Sequence, residues 1–375
     1  MALWISSEVE DYLPSSQSAY RRDRATTDVV FTLRILSGIA ETKQWSLYRL
    51  GIDLSKAFDT PHRSDLLSTV VSVAPTTPDV LPLVHTLLSD TTLQVRVQGK
   101  TAPPFRSNVG TPQGDSLSPI LCTCYFESAL RGIRSDSPPD DILPPELQYA
   151  DDLDFIGTDE QELEDVHDQC AETLPSHNLT VKSSKTERTK MYLADDLEER
   201  GSEARRNAKS LGSRLGSAQD VQARKALATQ AFCSLYALFK HQSTSLLLRA
   251  APYKTCVKPV LLYNCPTFGL TDATTRRIDT FHRRNLRTMA GAKFPNTITD
   301  KHLYDICGSA PISLEIDQRR WEFLGTVLRM QKSSPPQRVL EFSATASLRG
   351  RLGRPRTTLL FSGLPSPTRR SPGHA

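Results

Sequence analysis

Apolar residues along the first two hundred positions come in short runs whose period changes from one run to the next. Thr26 or Thr27 can cap a helix, and beyond them Val29, Val30, Leu33, Leu36 and Ala40 share one side as far as about Lys43. Residues 47–54 read as a strand that carries Asp53 to its carboxyl end. Residues 55–59 make a turn, and Pro61 opens a helix to about Val73. A second helix near 78–89 leads into a hairpin, 92–98 and 101–109, turning at Gly99-Lys100. An apolar helix follows over about 116–133, with Pro119 in its first turn. After a loop at 135–145 come two short apolar runs around an acid pair, Glu146-Leu-Gln-Tyr-Ala-Asp-Asp-Leu-Asp-Phe-Ile156. The simplest reading is strand–turn–strand with Asp151 and Asp152 at the tip. An acidic helix at 159–174, a polar turn at 181–187 and a short strand at 189–193 complete this half. The predicted class is α+β: a small antiparallel sheet backed by helices at about 62–89, 116–133 and 159–174.

From about 195 the pattern becomes that of long basic helices, near 218–240, 243–263, 272–290 and 313–331. Residues 1–18 are polar and interrupted by proline. From Ser343 the chain is rich in Arg, Gly, Ser and Pro and is expected to be disordered. No internal repeat is visible.

Composition sharpens this division. With 375 residues and 38% hydrophobic content the chain can bury two or three subdomain cores. The net charge is only +4, yet residues 1–200 hold 18 Lys and Arg against 32 Asp and Glu, and the remainder hold 28 against 10. One half concentrates carboxylates; the other suits a polyanion or a set of solvated basic helix faces. The seven cysteines show no paired spacing and no zinc pattern, which points to buried thiols in a reducing compartment. No apolar run is long enough to span a bilayer, and the N-terminus lacks a secretory pattern, so an intracellular chain without membrane partners is expected.

The candidate chemistry lies in the acids. Adjacent like charges repel, and a hairpin tip that gathers them suits a cation. An acid pair taken alone is more often a solvated turn. Asp53, however, also ends a strand, 98 positions before Asp151. Should these elements pair in one antiparallel sheet, their carboxylates would share an edge. There they could hold two divalent ions about 3.5–4 Å apart for phosphoryl transfer. Asp152 would support them, and hard oxygen donors favour Mg²⁺, with Mn²⁺ as the alternative. Tyr149 would pack beside the site.

Asp53-Leu-Ser-Lys-Ala-Phe-Asp, Gly110-Thr-Pro-Gln-Gly-Asp-Ser-Leu-Ser-Pro, Tyr149-Ala-Asp-Asp and Lys185-Thr-Glu stand in the order of motifs A to D of reverse transcriptases. The chain resembles the reverse transcriptase of non-LTR, LINE-like retrotransposons. Gln17-Ser-Ala-Tyr-Arg-Arg upstream, and Ile278-Asp-Thr-Phe-His-Arg-Arg-Asn-Leu-Arg and Trp321-Glu-Phe-Leu-Gly-Thr-Val-Leu-Arg-Met downstream, extend the likeness over about residues 17–331. The resemblance implies a residual fingers segment at 1–45, a palm at 46–195, a helical thumb-like region at 196–342 and a disordered basic tail at 343–375.

It also implies roles. Asp53 and Asp151 would be the principal metal ligands and Asp152 the third acid. Turn amides at Leu54, Ser55, Lys56 and Ala57 would cradle a triphosphate. Phe58 would be the gate against a sugar 2′-hydroxyl, the alternative being a core phenylalanine. Gln113 and Gly114 would meet the incoming base pair and template backbone, and Tyr149 the primer end. Lys185 would approach the triphosphate and protonate pyrophosphate, or is a solvated turn lysine. Arg276, Arg277, Arg283, Arg284 and Arg287 would follow the backbone of a template–primer duplex. His62 and Asp59 read as structural. The implied partners are an RNA template, a DNA primer, dNTPs and the rest of a retrotransposon polyprotein, with a nuclear or cytoplasmic location.

Two departures bear on activity. Only sixteen residues precede Gln17, leaving no room for the upstream fingers motifs that close over the triphosphate, and neither an endonuclease nor a Cys/His knuckle accompanies the motifs. The tail of motif A at Thr60-Pro61-His62 also lacks the usual valine. An N-terminally truncated fragment with weak activity in isolation is therefore expected. The competing reading is a catalytically silent remnant that binds RNA or RNA–DNA duplex. RNA-templated RNA synthesis is a third, opposed by Phe58 and by Tyr149-Ala150.

Overall fold

The structure is a computed structural model. It describes residues 2–73, 81–89, 91–134, 143–193, 206–241, 243–292, 295 and 297–348. The chain divides into two compact units. The first comprises residues 1–29, 40–200 and 331–339, and the second residues 30–39, 201–330 and 340–375.

In the first unit, helix α1 (Ala2–Val9) buries Ile5 and Val9 although its sequence reads as polar. Helix α2 (Thr26–Lys43), whose residues 30–39 belong to the second unit, has Ala25 as its N-cap in place of the expected threonine, with the Asp28 carboxylate accepting from the amide of Ala25 at 3.1 Å. Strand β1 (Leu47–Asp53) follows, then α3 (Arg63–Val73) and α4 (Leu81–Leu88). The start expected near 78 lies outside the described residues.

Next come β2 (Thr92–Leu93), β3 (Arg96–Val97), β4 (Lys100–Thr101) and β5 (Phe105–Arg106), a broken hairpin in which β2 pairs β5 and β3 pairs β4. Its turn falls on Gln98-Gly99, one residue earlier than expected. Both residues take positive φ, 49° and 79°, as a two-residue turn of this twist requires, and Lys100 then pairs with Val97.

Helix α5 (Ser118–Arg131) is buried on nearly every side, and an aspartate just before it meets its first amides. The Asp115 carboxylate accepts from the amides of Leu117 (2.7 Å) and Ser118 (2.6 Å). Strands β6 (Glu146–Tyr149) and β7 (Asp152–Gly157), helix α6 (Glu160–Thr173) and strand β8 (Glu187–Tyr192) finish the unit's main frame.

The sheet is four-stranded in the order β6-β7-β1-β8, every pair antiparallel, so the expected α+β class is the observed one. Side chains alternate across it with a period of two. Leu50 and Ile52 of β1 and Leu153 and Phe155 of β7 turn to a core shared with Leu66, Leu121, Tyr125, Phe126 and Leu174. The other face of the same strands carries Arg49, Gly51, Asp53, Asp152 and Asp154. There the Arg49 guanidinium crosses Gly51 to Asp154 (2.6 Å) and to Glu187 (3.3 Å). A Cβ on Gly51 would stand 2.9 Å from Arg49 Nη2, so the bare glycine leaves room for the guanidinium where it lies.

The second unit is mainly helical. The helix expected over 218–240 is two, Ser217–Ser234 and Tyr236–Lys240. The one expected over 243–263 is broken into Leu246–Pro252, a wide turn Tyr253–Val257, and Lys258–Leu261. Pro252 and Pro259 lack the amides that a continuous helix would use. Asp272–Ala290 and Ile312–Arg329 match their expected spans, and Asp300–Cys307 is an additional helix. Its core gathers Phe232, Tyr253, Phe268, Ile278, Leu286, Leu303 and Ile316. A last helix, Pro335–Leu348, includes the first residues of the tail expected to be disordered; positions 349–375 lie outside the described residues. Among the described residues no helix is long and apolar enough to cross a membrane.

Candidate active site

Register brings the acids together. In the β1–β7 pair Asp53 stands opposite Asp152, and in the β6–β7 pair Asp152 stands opposite Tyr149. The connection is a two-residue turn, Ala150-Asp151, so the tip holds one of the expected carboxylates; Asp152 opens the returning strand. Ala150 adopts φ 59°, the left-handed value that such a turn demands.

This turn is braced from a segment 133 residues upstream. Gln17 is buried, and its side-chain oxygen accepts from the amide of Ala150 (3.2 Å) and from that of Ala19 (2.8 Å). Its nitrogen donates to the Gln148 side chain at 3.2 Å. Main-chain bonds from Ser18 to Gln148 and from Gln148 to Ser16 align the same segment beside β6. Sequence reasoning placed Gln17 near the family motif and gave it no role; a glutamine in a polar stretch carries no local signal of such a partner.

Motif D arrives through main-chain bonds to the end of β1. The amide of Lys182 donates to the Asp53 carbonyl at 2.9 Å, and a single helical turn, Ser183–Lys185, delivers the Lys185 ammonium to 3.0 Å from Asp53 Oδ2. The like charges are felt. Burial, then the charges of Asp151, Asp154 and Asp53, push the Asp152 carboxyl up to about 6 against the pull of Arg49. Asp151 is likewise raised, by burial and by Asp53, with a backbone hydrogen bond and Lys185 opposing.

The expected metal cluster is only partly formed. Hard carboxylate oxygens that repel one another suit a divalent cation chemically. As placed, however, no three His, Cys, Asp or Glu side chains among the described residues are arranged to hold an ion. The carboxylates lie along a sheet edge, and the charge beside Asp53 is met by Lys185.

The turn after β1 departs from the expected phosphate cradle at one point. The amide of Ser55 donates to the Thr180 carbonyl (2.8 Å), which leaves the amides of Leu54, Lys56, Ala57 and Phe58 as candidates. Lys56 is exposed at φ 52°, and Ala57 is buried. Phe58 is half-buried against the core, its ring meeting that of Phe126 edge-on at 5.8 Å.

Motif B is bound tightly to this turn. Thr111 donates its amide to the Phe58 carbonyl (2.9 Å) and Gly110 to the Pro61 carbonyl (2.8 Å). A Cβ on Gly110 (φ 67°) would lie 2.7 Å from the Asp59 backbone. The exposed Gln113 donates to Asp59 Oδ1 at 2.8 Å, so Asp59 is a partner of motif B. At Gly114 a Cβ would meet nothing, and the positive φ of 102° alone asks for glycine.

In the second unit the five arginines separate. Arg276, Arg277 and Arg284 are exposed, whereas Arg283 (3.4 Å) and Arg287 both bind Asp300.

A family model described as "Reverse transcriptase (RNA-dependent DNA polymerase)" matches residues 4–215, more than half of the chain. The chain belongs to the reverse transcriptase family. Among solved structures, apo telomerase from Candida tropicalis is similar at 15% identity, covering 90% of this chain and 60% of that one, with a TM-score of 0.45. The same protein truncated from its C-terminal domain aligns at 18% identity over 50% of this chain and 39% of that one (TM-score 0.40). Telomerase of C. tropicalis in complex with a fragment of telomeric RNA aligns at 16% identity, 88% and 53% coverage and a TM-score of 0.40. The chain thus spans about two to three fifths of the length of these proteins. No curated protein matches it.

Proposed function

We propose that this chain is the RNA-directed DNA polymerase of a non-LTR, LINE-like retrotransposon, extending a DNA primer with dNTPs on an RNA template. The observation that carries this reading is the pairing of Asp53 with Asp152, which sets the acids of motifs A and C on one sheet edge. Asp53 and Asp151, supported by Asp152, would hold the divalent cations, Mg²⁺ or Mn²⁺. Bound there, such ions would acidify the primer hydroxyl and neutralise the departing pyrophosphate. The amides of Leu54, Lys56, Ala57 and Phe58 would face the triphosphate as an anion nest. Lys185, beside Asp53, supplies positive charge and a proton to pyrophosphate. Phe58 excludes a 2′-hydroxyl, and Gln113, hydrogen-bonded to Asp59, steadies the base pair from motif B. Exposed Arg276, Arg277 and Arg284 meet the duplex backbone. Action on chromosomal targets would take the protein to the nucleus.

Primer extension on an RNA template with Mg²⁺ tests this reading. Asp151→Asn should lower extension by more than about a hundredfold, since even outer-shell partners of metal ligands cost that much, while template–primer affinity persists. Equal absence of extension in both proteins, with binding retained, would instead establish the silent nucleic-acid-binding remnant.

A further inference from the structure

The Phe58 ring has two edge-to-face aromatic neighbours. Phe126, 1% exposed and part of the core, meets it edge-on at 5.8 Å and 86°. Tyr20 is the ring's second aromatic neighbour, at 6.5 Å and 84°. Tyr20 is not a core residue: it is 54% exposed, so Phe58 has one buried and one surface aromatic neighbour.

The main chain is arranged to put it there. Tyr20 adopts φ 57°, a conformation unfavourable for a bulky side chain. The residues before it are fixed, Ala19 by its hydrogen bond to the buried Gln17 side chain and Ser18 by its bond to the Gln148 carbonyl (2.9 Å). The phenol also feels the acids. Its pKa is raised by burial first and then by the charges of Asp151 and Tyr149.

We propose that Tyr20 is a positioning residue for sugar discrimination, bracing the Phe58 ring from the solvent side so that it cannot swing away from the 2′ position of a bound nucleotide. The inference rests on the reading of Phe58 as the gate. An aromatic ring torsion is broad, and a ring with a single wall can retreat from an added hydroxyl. Two edge-to-face contacts restrict it more than one would.

The test measures binding, so it does not depend on turnover. The chain is bound to an RNA template and a dideoxy-terminated DNA primer with Mg²⁺. The concentration of the next complementary dNTP or rNTP that stabilises the complex against a competitor trap is then determined. In Tyr20→Ala and Tyr20→Leu the preference for dNTP should fall about tenfold, the scale of one aromatic contact, chiefly through tighter rNTP binding. Tyr20→Phe should keep the parental preference, because the ring and not the hydroxyl does the bracing.

An unchanged preference in the alanine and leucine variants, or an equal weakening of both nucleotides, overturns the proposal. So does a phenylalanine variant that behaves like alanine. Phe58→Ala with parental preference would remove the gate beneath it, and failure of any dNTP to stabilise the parental complex would overturn the polymerase reading itself.

Discussion

Around Arg34, in the second unit, each guanidinium donor has an acceptor: the carbonyls of Leu215, Thr267 and Arg214, the Thr267 hydroxyl and the Asp220 carboxylate at 2.7 Å. At the carboxyl end of β1, in the first unit, three aspartates feel one another's charge, and the Lys185 ammonium pairs with the Asp53 carboxylate. The difference separates two uses of charge. A buried ion whose hydrogen bonds are complete holds segments distant in the chain together and has nothing left to offer a ligand. Carboxylates that raise one another's pKa keep an unspent attraction for a cation. Arg49 with Asp154 shows both uses within one sheet, since this satisfied pair lies on the same face as the repelling acids.

Three substitutions would break or sharpen this contrast. The largest effect is expected from Asp220→Ala, which strands the Arg34 charge in the core and should cost about 3–5 kcal/mol, read by urea denaturation followed by circular dichroism. A loss below about 1 kcal/mol, the usual worth of an exposed pair, would mean that the two regions are not so different.

Gly110→Ala comes next. It forces a side chain at φ 67° to within 2.7 Å of the Asp59 backbone and should cost about 2 kcal/mol in the same titration. It should also weaken nucleotide binding, because motif B carries Gln113. Retained stability would show that the motif A and motif B turns are not locked.

Asp152→Asn should act in the opposite direction and more weakly. A carboxyl whose pKa rises to about 6 on folding binds its proton more tightly in the folded state. Its contribution to stability therefore declines as pH rises from about 4, the unfolded value, through about 6, and stays lost above. In EDTA the variant should melt at or above the parent's temperature at pH 7.5 and lose that advantage at pH 4. Millimolar magnesium should narrow the gap by stabilising the parent. A variant less stable than the parent at pH 7.5 in EDTA would show that the acids are not in mutual repulsion.

Local signals made much of this legible. The apolar spacing from Val29 to Ala40, the alternation through Leu50 and Ile52, the proline in the first turn of α5 and the acids of α6 mark elements whose causes lie within a few residues. Where the local signal was thin the reading slipped. Helix α1 buries only two of its described side chains, Ile5 and Val9, and Asp300–Cys307 has two, Leu303 and Cys307, too few to stand out as a period. The pairing of Arg283 and Arg287 with Asp300 was also out of view, because nothing adjacent in the chain announces that partner.

The amino-acid order by itself determined which chemistry the chain carries: four motifs in family sequence, with acids at strand ends and a turn. It could not determine strand register, which depends on how whole faces bury, and it is register that sets Asp53 against Asp152. Nor could it reveal that Gln17 braces the Ala150 turn, that Gly51 leaves room for Arg49 beside Asp154, or that Lys185 comes to rest on Asp53. Those contacts join residues far apart in the chain, and only the closed sheet with its packed helices brings them within hydrogen-bond reach.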